Sequence, residues 1–205
     1  MRVAILSESA ADEAALRVLV DALLGVKTIP VETQLRSRGW AAVQSILPSI
    51  SKQLHYRTDT DALVVVVDSN HTYLSGDQPK NRLREFQELV KRCRSQLKPV
   101  SGRVPLLIAV GVAAPAIEAW WLCGTHPQIS EAAWEKGLDE NQEPYSKLDL
   151  KKWLYGAENN SLEHMTEKMV AAARALENDL TLLERAFPHG FGSLAAEIRQ
   201  WRRLG

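Results

Sequence analysis

The stretch that most constrains this chain is "ALVVVVDSNHT", residues 62 to 72. Six apolar residues in a row cannot form a half-solvated strand, which would alternate. They fit a central strand of a parallel sheet covered by helices on both faces. The run then stops on Asp68, followed by Ser69, Asn70 and His71. Those residues serve a turn leaving the sheet, and a carboxylate at the end of a rigid strand equally serves a metal ion.

The flanking pattern supports a sheet of this kind. "RVAILS" at 2 to 7 reads as a first strand ending at Glu8, and "VKTIPVET" at 26 to 33 as a second. "VPLLIAV" at 104 to 110 reads as a fourth. Between them run helical segments: 12 to 24, with apolar residues at 15, 16, 19, 20, 23 and 24 and a stop at Gly25; "GWAAVQSILPSISKQL", kinked or broken before Pro48; and about 80 to 97. Pro30 cannot donate to a ladder, which places strand two at an edge. The expected fold class is α/β: a central parallel sheet of about four strands in the order 2-1-3-4, flanked by helices, Rossmann-like, with a helical C-terminal extension. Residues 1–124 form the core in this reading, and 125–205 an extension packed on it.

"GVAAPAIEAWWLCG" reads as a loop and short helix with Pro115 in its first turn. "THPQISEAAWEKGLDENQEPYSK" reads as irregular, "LDLKKWLYG" as a short helix, 161 to 186 as one long amphipathic helix and "SLAAEIRQWRRL" as the last. Leu162, Met169, Leu176 and Leu183 recur every seven residues. The stripe is read first as packing on its own domain, with a homodimer seam as the alternative.

The 205 residues carry 25 Lys+Arg and 25 Asp+Glu, so no global field advertises a polyanionic partner, though a local basic patch remains open. Two cysteines, Cys93 and Cys123, supply neither a disulfide framework nor a zinc ribbon. No segment approaches the roughly 20 apolar residues that span a bilayer, and the apolar run at the N-terminus is too short for a signal peptide. A cytoplasmic protein without membrane contact is expected.

Sites in a doubly wound sheet form beyond the strand C-termini. Glu8 ends strand one, Asp68 ends strand three, and Glu118 lies in the helix after strand four. In the order 2-1-3-4 the first two are neighbours, roughly 5 Å apart. Mg²⁺ is held by one or two carboxylates with water and substrate phosphate, so this edge suits it. Taken singly, each acid has a plainer reading: Glu8 as a helix cap, Glu118 as a complement to a helix N-terminus, Asp68 as the start of an Asx turn.

"ILSESAADEAALRVLVDALL", "LVVVVDSN" and "APAIEAWWLCG", in this order and spacing, resemble the Toprim-related fold, whose pattern is an acid after strand one, a helix, and Asp-x-Asp after strand three. The likeness extends to an uncharacterised bacterial Toprim-like family with an "IEAWLL"-type segment and an element similar to "PHGFGSLAAEIRQW". The resemblance implies phosphodiester chemistry with Mg²⁺ or Mn²⁺ on DNA or RNA, as in nucleases of phage defence or DNA repair. It implies Glu8 as general acid/base and metal neighbour, Asp68 as metal ligand and Glu118 as a further acid. It also aligns Asn70 with the second Asp of the motif, where it offers a carbonyl oxygen without charge, and Ser9 with the usual glycine.

Other chemistries find less support. No P-loop, dinucleotide fingerprint or GxSxG elbow occurs. Trp120 and Trp121 read as core before base-stacking platforms, and His71 as a solvated loop residue before a ligand. Lys147, Lys151 and Lys152 are candidates for phosphate contact, with a solvated face as the default. Two functions follow: a metal-dependent nuclease or phosphotransfer protein, or a catalytically silent module that binds a partner protein, such as a component of a defence complex. Asn70 favours the second; Glu8, Asp68 and Glu118 favour the first.

Overall fold

Burial of residues 62 to 67 on both sides organises the fold. The structure, a computed structural model, describes residues 1–33, 40–76, 81–156 and 161–202. Four strands, β1 (Arg2–Leu6), β2 (Ile29–Val31), β3 (Ala62–Asp68) and β4 (Leu107–Ala113), form one all-parallel sheet in the order β2-β1-β3-β4. The α/β class and strand order expected from the sequence are those observed. β3 pairs with β1 through Leu6↔Val65 and with β4 along its whole length, closing on Asp68↔Ala113. Each residue from Ala62 to Val67 is at most 1% exposed.

Crossovers place the helices. α1 (Ala10–Leu24) connects β1 to β2; α2 (Trp40–Arg57) and α3 (Arg82–Gln96) carry the other two connections. α1 is capped by Ser9, whose hydroxyl accepts from the Asp12 N–H, and ends at Gly25 in the left-handed region at φ 69°. α2 runs through Pro48 as one helix, so the expected break does not occur. Val43, Leu47, Ile50 and Leu54 bury its inner face on either side of the proline, holding the helix across the missing hydrogen bond. α2 packs on α3, with Trp40 edge-on to Phe86 at 5.0 Å.

The second half is more helical than expected. After β4 come α4 (Glu118–Trp121), α5 (Glu131–Asp139), α6 (Lys147–Tyr155), α7 (Leu162–Leu176), α8 (Leu180–Ala186), a π-turn (Pro188–Gly192) and α9 (Ser193–Trp201). Pro115, joined to Ala114 by a cis peptide bond, precedes α4 and does not occupy its first turn. Trp120 and Trp121 are both buried, which closes the base-stacking reading.

Two expectations are corrected here. The segment 125 to 147 is not irregular throughout: Ser130 caps α5, and three acids spaced four apart each hold another segment. Glu131 accepts the N–H groups of His189 and Gly190 at 3.1 and 2.9 Å. Glu135 accepts those of Leu74 and Ser75, both at 2.8 Å, and Asp139 accepts from the Tyr73 hydroxyl at 2.9 Å. α5 thereby ties the loop after β3 to the π-turn. Nor is 161 to 186 one helix. Glu177, Asn178 and Asp179 interrupt it, and Asp179 caps α8 through the Leu182 N–H. The stripe is therefore no continuous coiled-coil seam: Met169, Ala173 and Leu176 are buried and α7 packs on α1, while Leu162 stays exposed.

The π-turn and α9 both pack on β4. A Cβ added to Gly190 would lie 2.2 Å from the Val112 carbonyl oxygen, so only glycine fits here. Gly190→Ala is expected to cost about 1–3 kcal/mol through backbone displacement; denaturant unfolding measures it, and an unchanged midpoint would mean the π-turn does not rest on β4.

Candidate active site

Glu8 lies two residues past β1, between Ser7, whose hydroxyl donates to the Val66 carbonyl at 3.0 Å, and the α1 cap Ser9. Its Oε1 accepts from the Asp68 N–H across a long 3.4 Å. Asp68 is the last residue of β3 and its side chain is 15% exposed. Its Oδ1 accepts the Ile117 N–H at 3.0 Å, and its Oδ2 pairs with Lys147 Nζ at 2.7 Å. The carboxylate is thus bound from the entry to α4 and from the first residue of α6, not by its own turn. The Asx-turn reading of Asp68 gives way to a residue that joins three segments.

Glu118, the first residue of α4, is buried and receives a long contact from the Tyr155 hydroxyl at 3.4 Å. Asp12, in the first turn of α1, is also buried. Glu8, Asp12, Asp68 and Glu118 line one cleft with Lys147, Lys151, Tyr155 and the apolar wall of Met165 and Met169; its volume is about 230 Å³. That is below the roughly 300 Å³ of ordinary small-molecule pockets. It has room for an ion with a phosphate group rather than for a whole nucleotide.

The electrostatics follow from crowding. Burial pushes the Glu8 carboxyl up and the Asp68 charge adds to it, against the Asp68 N–H, Lys147 and Arg82. Glu118 is raised by burial and then by Asp68. Asp12 is raised to about 7, first by burial, with Glu118, Asp68 and Glu8 adding and the Ser9 hydrogen bond opposing. Four carboxyl groups meet two ammonium groups in the cleft, so full ionisation would leave an excess of negative charge that a cation relieves.

Arg82 supplies another positive group. It opens α3, where a cation opposes the helix dipole, yet Nη1 donates to the Asp68 carbonyl at 2.9 Å and the guanidinium lies 4.9 Å from the Trp40 ring centre. The site, not its helix, holds it there.

The structure brings together Glu8, Asp68, Glu118, Lys147 and Lys151. It does not bring Asn70 or Lys152 to the cleft lining. Asn70 is left-handed at φ 55°, and its N–H donates to the Pro115 carbonyl at 2.9 Å, so the chain has already left the extended state that would aim it beside Asp68. Lys152 lies near Asp149, whose carboxyl is lowered first by the Ser146 hydroxyl and in part by this lysine. His71 pairs with Glu143 at 2.7 Å. Asp12, Arg82 and Tyr155 were not singled out by the sequence. Asp12 had a signal, since it lies four residues after Glu8; Tyr155 had none, because its place depends on how α6 docks.

Among the described residues, no three His, Cys, Asp or Glu side chains close into a group that could hold a metal ion. The donor chemistry nevertheless suits Mg²⁺, which needs few protein carboxylates and completes its shell with water and phosphate. No protein-family model, curated protein or solved structure matches this chain.

The raised carboxyls set a pH dependence. Asp12 binds its proton more tightly folded than unfolded, so its favourable contribution is complete below about pH 4 and is lost as pH rises through about 7. Asp12→Asn is expected to match the parent near pH 4 and to exceed it at pH 8 by on the order of 2 kcal/mol. Urea unfolding at the two pH values checks this; equal stabilities at pH 8 would place the Asp12 carboxyl in water.

Proposed function

We propose that this chain is a Toprim-like nuclease or phosphotransfer protein that uses Mg²⁺ or Mn²⁺ on DNA or RNA, in phage defence or DNA repair, in the cytoplasm. The observation that carries the reading is the convergence of Glu8, Asp68 and Glu118 on one cleft at the C-terminal ends of the strands. Asp68 would hold the ion, with Glu8 beside it and Glu118 reaching it through water. A bound divalent metal would stabilise charge on phosphate oxygens and lower the pKa of a coordinated water. Glu8, holding its proton more tightly than an ordinary carboxyl, serves as the acid–base group. Lys151 presents a positive charge at the cleft, and Arg82 steadies the Asp68 backbone. The cleft's size favours an end or a single strand drawn in at one phosphate. Among the described residues no helix is long and apolar enough to cross a membrane.

A second reading has its own support. Both Asp68 oxygens already have protein donors, and Asn70 stands outside the cleft lining. In that case the chain is a silent module, and its partner is a protein of a larger complex.

Melting curves and nuclease assays separate the two. Saturating Mg²⁺ or Mn²⁺ should raise the parent midpoint by on the order of 5 °C through linkage and leave Asp68→Ala unmoved. Cleavage of single- or double-stranded DNA or RNA should appear with metal, vanish with EDTA and be lost in Asp68→Ala. A metal response without cleavage selects the silent module, and no metal response in the parent removes the metal site.

A further inference from the structure

Lys147 is the first residue of α6, the end at which a helix repels cations. A capping box between Ser146 and Asp149 fixes that end, so the lysine backbone is held while its four-carbon stem stays free to turn. The ammonium group reaches across to Asp68 Oδ2 at 2.7 Å, where the lysine side chain is 36% exposed and the aspartate 15%. One face of a partly buried carboxylate is thereby covered by a cation that is itself partly exposed to solvent. Lys151 lies one turn further along the same helix face and lines the same cleft.

We propose that Lys147 is a tethered counter-ion that exchanges with the divalent cation: metal binding displaces its ammonium group from Asp68, and the freed group joins Lys151 to receive a substrate phosphate. The inference rests on the metal reading of this cleft. It adds an order of events, in which the cation enters first and its arrival creates the phosphate-binding pair. Before the cation binds, the ammonium offsets the repulsion among the acids. Afterwards one lysine no longer competes for Asp68, and two positive groups face the phosphate. No covalent step is involved: a singly charged ammonium group gives way to a doubly charged cation, which adds one positive charge beside Asp68 and offsets more of the repulsion among the acids.

The native protein is tested by acetylation with an N-hydroxysuccinimide ester, with and without Mn²⁺, followed by peptide mass spectrometry. Lys147 should become several-fold more reactive with Mn²⁺, while Lys91, exposed on α3, should not change. Calorimetric titration with Mn²⁺ gives the second readout: Lys147→Met, which removes the competitor, should bind about tenfold more tightly than the parent. Mn²⁺ binding to the parent with unchanged Lys147 reactivity, or equal or weaker binding by Lys147→Met, would overturn the exchange and leave the metal site standing. No Mn²⁺ binding by either protein would remove both.

Discussion

Asp68 is the point on which the rest of the site depends. It leaves the sheet beside Ala113, and its carboxylate is held by the Ile117 N–H and the Lys147 ammonium while its carbonyl is held by Arg82. These contacts come from three connections: the one after β3, the one after β4 and the helical extension. A partly buried carboxylate that lost them would be left without compensation. Burial raises the proton affinity of Glu8, Glu118 and Asp12, and the charge of Asp68 adds to it in all three.

The C-terminal half does more than cover the core. The acidic face of α5 grips the loop after β3 through Leu74 and Ser75, and the π-turn through His189 and Gly190. α6 brings Lys147, Lys151 and Tyr155 to the cleft, and α7 brings Met165 and Met169 while packing on α1. The acids belong to the sheet and its connections, whereas the compensating lysines belong to the extension. Removing the extension would leave the carboxylates facing one another in a cleft open on that side.

The sheet was legible because its signals are local and strong. The apolar run 62 to 67 and Pro30 were enough to set the centre and one edge, and with the edge came Glu8, Asp68 and Glu118. α5 was missed because its burial rests on Trp134 and few other apolar groups, although Ser130 followed by Glu-Ala-Ala is a helix start. The break at 177 to 179 was hidden by a seven-residue stripe that continues across it in sequence but not in space. Asn70, which the resemblance aligns with a second acid, lies outside the cleft lining because the backbone turns left-handed there. Tyr155 reaches the cleft, and Arg82 the Asp68 carbonyl, through tertiary packing, which no periodicity encodes.

The most direct test of the central claim is anomalous diffraction at the manganese edge from crystals of this protein soaked in Mn²⁺. The account predicts a peak in the cleft between Glu8, Asp68 and Glu118, with Lys147 Nζ withdrawn from Asp68 Oδ2. A well-ordered cleft with no peak, and with the Asp68–Lys147 pair intact, would contradict it.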